Sequence, residues 1–308
     1  MTTLLSIEAR RYLARRLVRF LVGLAVLGIV LAGSILFATS HRPSPGRRQA
    51  QVERLRAERS DALQACVNGQ FGIPRNKIPQ GMTLSQFCDQ VVVQSAVPDP
   101  RFHLTSLRHV YQGTNAILIA LFLVLGASFI GAEWHAGTMT TLLTWEPRRV
   151  RVFAAKVLAA AAAGFVGLAV LQALLGAALA PAAVVRGSTA GANAAWLRSV
   201  AGLVLRGGAL AALASAVGCA LASVGRNTAA ALGVGFAYIA VIEPILRAVK
   251  PRWQPWFLYD NAATFLLGHR AGFTVVGRSP TSAGLVLGVY VLAALLAAGA
   301  MFVRRDVA

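Results

Sequence analysis

GAEWHAGTMTTLLTWEPRRVR, running from Gly131 to Arg151, decides how this chain is read. An apolar run from Asn115 to Ile130 precedes it, and another from Val152 to Ala180 follows. A polar segment between two membrane-length runs is an exposed loop, because the bilayer core holds no water for unpaired backbone groups. This loop has structure of its own. Glu133 stands at its entry, Gly137-Thr138 breaks it, and Met139, Leu142 and Leu143 recur at helical spacing. Pro147 stops the pattern, and Arg148, Arg149 and Arg151 follow at once. The reading over 133–151 is a short amphipathic helix held at a membrane surface and closed by cationic anchors. Trp134, Met139, Leu142 and Leu143 are expected to offer apolar area to a partner. Glu133 is expected to cap or brace the helix start, where a carboxylate meets the positive end of the dipole.

Composition sets the class. Of 308 residues, 56% are hydrophobic and only 13% are charged, whereas a soluble domain carries about 25% charged residues. The expected fold is all-α, a polytopic membrane protein. The formal charge of +19 would suggest nucleic acid in a soluble protein. Here the basic residues are dispersed over many loops with no binding module, so no nucleic acid is expected, and the arginines instead meet anionic lipid and set orientation. The basic start leads into an apolar run too long for a signal peptide.

Outward from the opening stretch, the pattern predicts six transmembrane helices. Residues 1–16 read as a basic interfacial helix or as a plain topogenic flank. The first span is 17–39, long enough for a hydrocarbon core of about 30 Å. Residues 40–112 form the sizeable polar segment, with a helix over Gln49–Val67 and a second over Thr83–Gln94, the latter opened by a Thr83/Gln86 capping box and stopped by Pro98-Asp-Pro100. The second span is 113–132. Three more lie in 152–249, and one of them carries Ala214, Gly218 and Ala222 as a close-packing face. Pro244 breaks the fifth. Residues 250–280 are a loop with an aromatic belt and a re-entrant or interfacial helix at Ala262–Leu267. Residues 281–308 hold the last span, with Gly284 and Gly288, and a short tail closed by Arg304-Arg305. Six spans put both termini on one side, and the arginine clusters assign that side to the cytoplasm. The 40–108 segment, with its ten Lys/Arg, lies outside on this assignment, as long loops translocate regardless of charge.

Among chemical groups, Cys66 and Cys88 are expected to form a disulfide, because a small helical segment needs a staple in an oxidising compartment. Cys219 reads as a small apolar filler. A zinc site from Cys66, Cys88, His103 and His109 is conceivable, but the spacing matches no standard module, and His41, His103, His109, His135 and His269 read as solvated loop residues. Glu243 and Arg206 are the clear ionisable residues within spans. Counted from Arg226, Arg206 lies roughly 30 Å deep and Glu243 roughly 26 Å deep at 1.5 Å per residue. Either they pair between spans four and five, or Arg206 snorkels and Glu243 marks a ragged helix end.

Glu133, Gly137-Thr138, Leu142-Leu143-Thr144, Pro147, Arg149 and Lys156 are spaced as in permease subunits of ATP-binding-cassette transporters, and the stretch resembles the type-2 exporter family over roughly two dozen residues. The resemblance implies a permease, not an enzyme, in the plasma membrane. It implies a second permease chain, as homodimer or heterodimer, and separate ATPase subunits that bind ATP and Mg. This chain has no Gly-rich phosphate loop and no cofactor of its own is expected. Glu133, Trp134, Gly137, Thr138, Met139, Leu142, Leu143, Pro147 and Arg149 would then be the motor-coupling residues. Spans without a distinctive polar lining favour a hydrophobic or amphiphilic cargo. The rival readings are a membrane anchor or sensor presenting the 40–112 segment, and a membrane-embedded enzyme using the outer histidines.

Overall fold

The computed structural model describes residues 2–40, 45–70, 83–93, 101–268 and 278–304. The Pro98–Pro100 stop, His41, His269 and Arg305 lie outside the described residues. Regular structure among the described residues is helical, apart from an isolated bridge between His103 and Ser188. The helices are α1 (Thr2–Ala14), α2 (Arg16–Thr39), α3 (Pro45–Val67), α4 (Leu84–Val93), α5 (Leu107–His135), α6 (Thr138–Trp145), α7 (Arg149–Pro181), α8 (Ala194–Gly225), α9 (Thr228–Ala237), α10 (Glu243–Val249), α11 (Leu258–Leu267) and α12 (Pro280–Arg304). Six of the described helical stretches are long and apolar enough to cross a membrane: Arg16–Thr39, Leu104–His135, Arg149–Arg186, Ala194–Gly225, Thr228–Val249 and Pro280–Arg304. The chain is a multi-pass membrane protein.

The centre of the bundle is α5, α7 and α8, packed closely because small residues meet. A Cβ at Gly164 of α7 would lie 2.7 Å from the Ala211 carbonyl oxygen of α8, and one at Gly126 of α5 would run into Ser215. Helices this close let side chains reach foreign backbone: Ser215 Oγ donates to the Phe122 carbonyl at 3.0 Å, and Cys219 Sγ to that of Gly126 at 3.2 Å. The packing face of α8 is Ala211, Ser215, Gly218 and Ala222, all buried, while Ala214 is only partly covered. Around this core, α2, α9 and α12 expose most of their apolar length, as lipid-facing spans do.

Two breaks in the spans have local causes. Pro181 ends α7 in a widened five-residue turn, Ala182–Arg186. Pro244 lacks the N–H that would continue the fifth span, and the turn before it, Tyr238–Ile242, is widened in the same way.

At one end of the bundle α3 and α4 pair through the Cys66–Cys88 disulfide, with Cα atoms 5.9 Å apart, and an Arg59–Asp89 ion pair at 2.9 Å. Both halves of the capping box form: the Thr83 amide donates to Gln86 Oε1 at 3.0 Å and the Gln86 amide to Thr83 Oγ1 at 3.3 Å. The disulfide uses both sulfurs that the conceivable zinc site would need. At this same end Arg186 donates to the Phe37 carbonyl at 2.8 Å, and the chain around Phe102 and Leu104 exchanges backbone bonds with Ser188. The opposite end carries α1 and α6.

Candidate functional site at the turn between the second and third spans

The opening stretch is divided among three helices. Glu133, Trp134 and His135 are the last turn of α5; Thr138–Trp145 is α6; Arg149 begins α7. Gly137 makes the corner, with φ at +67°, a conformation that a side chain would strain. Thr138 Oγ1 closes the corner on the Glu133 carbonyl at 3.4 Å.

Beneath this corner lies a buried charge cluster. Lys156, about two turns inside α7 from the loop, is 1% exposed, as is Glu8 of α1. Lys156 Nζ donates to Glu8 Oε2 at 2.8 Å and makes an ion contact with Glu133 Oε2 at 2.7 Å, off the angle of a good hydrogen bond. Arg15 donates from Nη2 to Glu133 Oε1 and from Nη1 to the Ser128 carbonyl, both at 2.8 Å. Arg11 adds a more exposed contact to Glu8 at 3.3 Å. The Phe129 ring lies under both cations, at 4.7 Å from the Arg15 guanidinium carbon and 4.9 Å from Lys156 Nζ. Tyr12 packs edge-on against the same ring at 5.1 Å, and burial pushes its phenol up.

The cluster corrects two expectations. Glu133 does not cap α6. It occupies the last turn of α5, the negative end of that helix's dipole, where a carboxylate is disfavoured alone and needs its two cations. Nor are Arg206 and Glu243 the principal charges within spans: Lys156 is, and its partner Glu8 comes from the amino-terminal helix. A signal for this was present in the sequence. Glu8 is the only acid before Glu53, in a helix otherwise rich in arginine, and Lys156 stands alone among alanines.

The coupling residues are likewise redistributed. Met139 is 1% exposed and belongs to the bundle core, and Leu142, Leu143 and Trp134 pack against that core. Trp134 meets Phe302 of α12 edge-on at 6.0 Å, and the Arg226 guanidinium covers its ring at 4.9 Å. Arg149 donates to the Val303 carbonyl at 3.2 Å. The outward face of α6 is instead Thr140, Thr141, Thr144 and Trp145, the last 86% exposed, followed by exposed Pro147 and Arg148.

The expected Arg206–Glu243 pair does not form. Glu243 is held by Arg247, one turn on, at 3.2 Å, and by the Tyr259 amide at 3.1 Å, while Arg247 also reaches Asp260 at 3.0 Å. A partner on the same helix and a helix-start amide satisfy this carboxylate. Arg206 extends instead toward Gly268, where a Cβ would meet its Nη1 at 3.4 Å. Among the described residues no three His, Cys, Asp or Glu side chains are grouped to hold a metal ion. No protein-family model, no curated protein and no solved structure matches the chain.

Proposed function

We propose that this chain is the permease subunit of an ATP-driven exporter of the type-2 ATP-binding-cassette family. Two permease chains form the path, separate ATPase subunits supply ATP hydrolysis, and the α6 end faces the cytoplasm with both termini. The cargo is hydrophobic or amphiphilic and the membrane is the plasma membrane. The observation that supports this reading most directly is the rigid mounting of α6. Its two tethers, α5 and α7, are tied to each other by Glu133 and Lys156; α7 is tied to α1 by Glu8, and α5 to the α1–α2 junction by Arg15. A push on such a helix reaches two spans and the amino-terminal helix together, as a slack loop would not transmit it. The outward threonine face with Trp145 at its end is where an ATPase subunit would press.

The test follows from which side chains point outward. Leu142 and Leu143 support the helix from within, so acidic substitutions there would unfold the element under study. Thr141→Asp with Trp145→Ala alters only exposed positions. Co-expressed with a cassette ATPase encoded beside this chain and placed in proteoliposomes, this variant is expected to insert and melt normally yet lose association and transport-coupled ATPase activity. Normal coupling in the folded variant overturns the proposal. The α3–α4 hairpin favours the sensor reading in one respect, since α3 exposes charged and polar side chains from Glu53 to Asp61. That reading predicts purification with no ATPase subunit at all.

A further inference from the structure

At the end of the bundle opposite α6, the chain leaves α10 through a tight turn, Pro251–Trp256, before entering α11. Donors from three directions converge on this turn. Arg278 Nη1 and Asn261 Nδ2 each donate to the Pro255 carbonyl at 2.9 Å. The Tyr290 hydroxyl of α12 donates to the Trp256 carbonyl at 3.0 Å, and Asn261 also reaches that of Phe257 at 2.7 Å. Phe257 is buried beneath, and Asn261 is fully buried. Below the turn, Glu243 accepts from the Tyr259 amide and holds Arg247, so α10 and the start of α11 form one piece.

This stitching fixes a surface that water alone would not favour. Trp253 is 53% exposed, Trp256 58% and Tyr259 61%, and they continue the exposed apolar side of α10, Ile245 and Val249. Lys250 and Arg252 are exposed among them and have no ion-pair partner among the described residues. The Arg278 guanidinium stacks over the Trp256 ring at 4.7 Å. Lys250 follows directly on the last residue of a lipid-facing span, so these cations stand at the depth of headgroups. Indoles suit the glycerol and carbonyl zone, and Lys and Arg suit the phosphates just outside it.

We infer that the Lys250–Trp256 turn is a preformed binding site for an anionic phospholipid of the adjoining leaflet. Its headgroup sits between Lys250 and Arg252, and its upper acyl region lies on Trp256. The inference stands independently of the transport reading. A plain aromatic belt would explain the tryptophans but neither the unpaired cations beside them nor the four hydrogen bonds that hold the turn.

The test uses the full chain in nanodiscs that contain equal phosphatidylglycerol and phosphatidylcholine, with bromine on the upper acyl chain of one lipid or the other. The part of the tryptophan fluorescence lost in Trp256→Phe reports Trp256. Brominated phosphatidylglycerol is expected to quench that part more strongly than brominated phosphatidylcholine. In Lys250→Gln with Arg252→Gln the preference should fall by roughly thirtyfold, since each cation near the surface contributes about 1 kcal/mol toward anionic lipid and about 1.4 kcal/mol is a factor of ten. Lys250→Arg with Arg252→Lys should keep it, and the single Gln variants, each expected to lose part, decide the matter if the double variant fails to fold. Equal quenching by both lipids, a preference that survives loss of both cations, or reversal by soluble glycerol phosphate would each overturn the site, the last by making it a site for free phosphate.

Discussion

At the scale of single residues, the charge beneath the turn is the strongest claim on stability. Lys156 is buried between two carboxylates, and removing it leaves both without their nearest cation. Breaking a buried pair from one side typically costs about 3–5 kcal/mol, whereas removing all partners together costs much less. Lys156→Met should therefore lower the unfolding temperature in detergent markedly, and Lys156→Met combined with Glu8→Gln and Glu133→Gln should recover much of the loss. A single variant that melts with the wild type would show that the cluster contributes nothing. Tyr12 gives a pH signature. Its phenol is buried with no hydrogen-bond partner among the described residues, and its pKa is raised from the ordinary 10.0. Stability from this neutral phenol is complete below pH 10.0 and declines above it, because the unfolded chain loses the proton first. Tyr12→Phe should leave neutral-pH melting unchanged and flatten the alkaline decline; an unchanged alkaline profile would contradict the assignment.

At the scale of elements, the fifth span ends in a latch. Glu243 sits at the start of α10, behind a widened turn, and its carboxylate takes the Tyr259 amide in the first turn of α11. A carboxylate at a helix start is favoured by the exposed amides and the dipole there. Arg247 then joins Glu243 to Asp260. A double-mutant cycle of Glu243→Gln with Arg247→Gln is expected to show coupling of about 0.5–3 kcal/mol in unfolding, and the cycle of Glu243→Gln with Arg206→Gln none beyond about 0.5 kcal/mol. The reverse result would restore the pairing across α8 that sequence distance suggests. Depth along a helix tells only how far a residue lies from a surface; it does not tell which way the side chain faces, and this is why similar depths misled.

For the whole molecule, the consequence of six crossings is that α6 and the α7–α8 connection lie on opposite sides. A cysteine placed at Trp145 and one placed at the exposed Thr189, each in a Cys219→Ala chain whose Cys66 and Cys88 are bonded, should react with an impermeant thiol reagent from opposite sides of sealed vesicles. Labelling of both from one side would mean that a helix counted as a span does not cross. The assignment of the Trp145 side to the cytoplasm is tested by the same vesicles in known orientation.

By itself the sequence determined the helical class, the number of spans and the presence of a short helix after the second, because length, hydropathy and breakers such as Pro147 act locally, but not that Glu133 and Trp134 belong to the span before it. The capping box at Thr83 and the staple between Cys66 and Cys88 were legible for the same reason: each answers a need of a short exposed element. Only the tertiary structure decided that Met139 and Leu142 face inward, because the two sides of an eight-residue helix are told apart by what packs on them. Only it decided that Glu8 meets Lys156, a contact between residues 148 apart in the chain. Periodicity marks which residues share a face. Which charge neutralises which depends on how separate helices are brought together in a medium where no charge can remain alone.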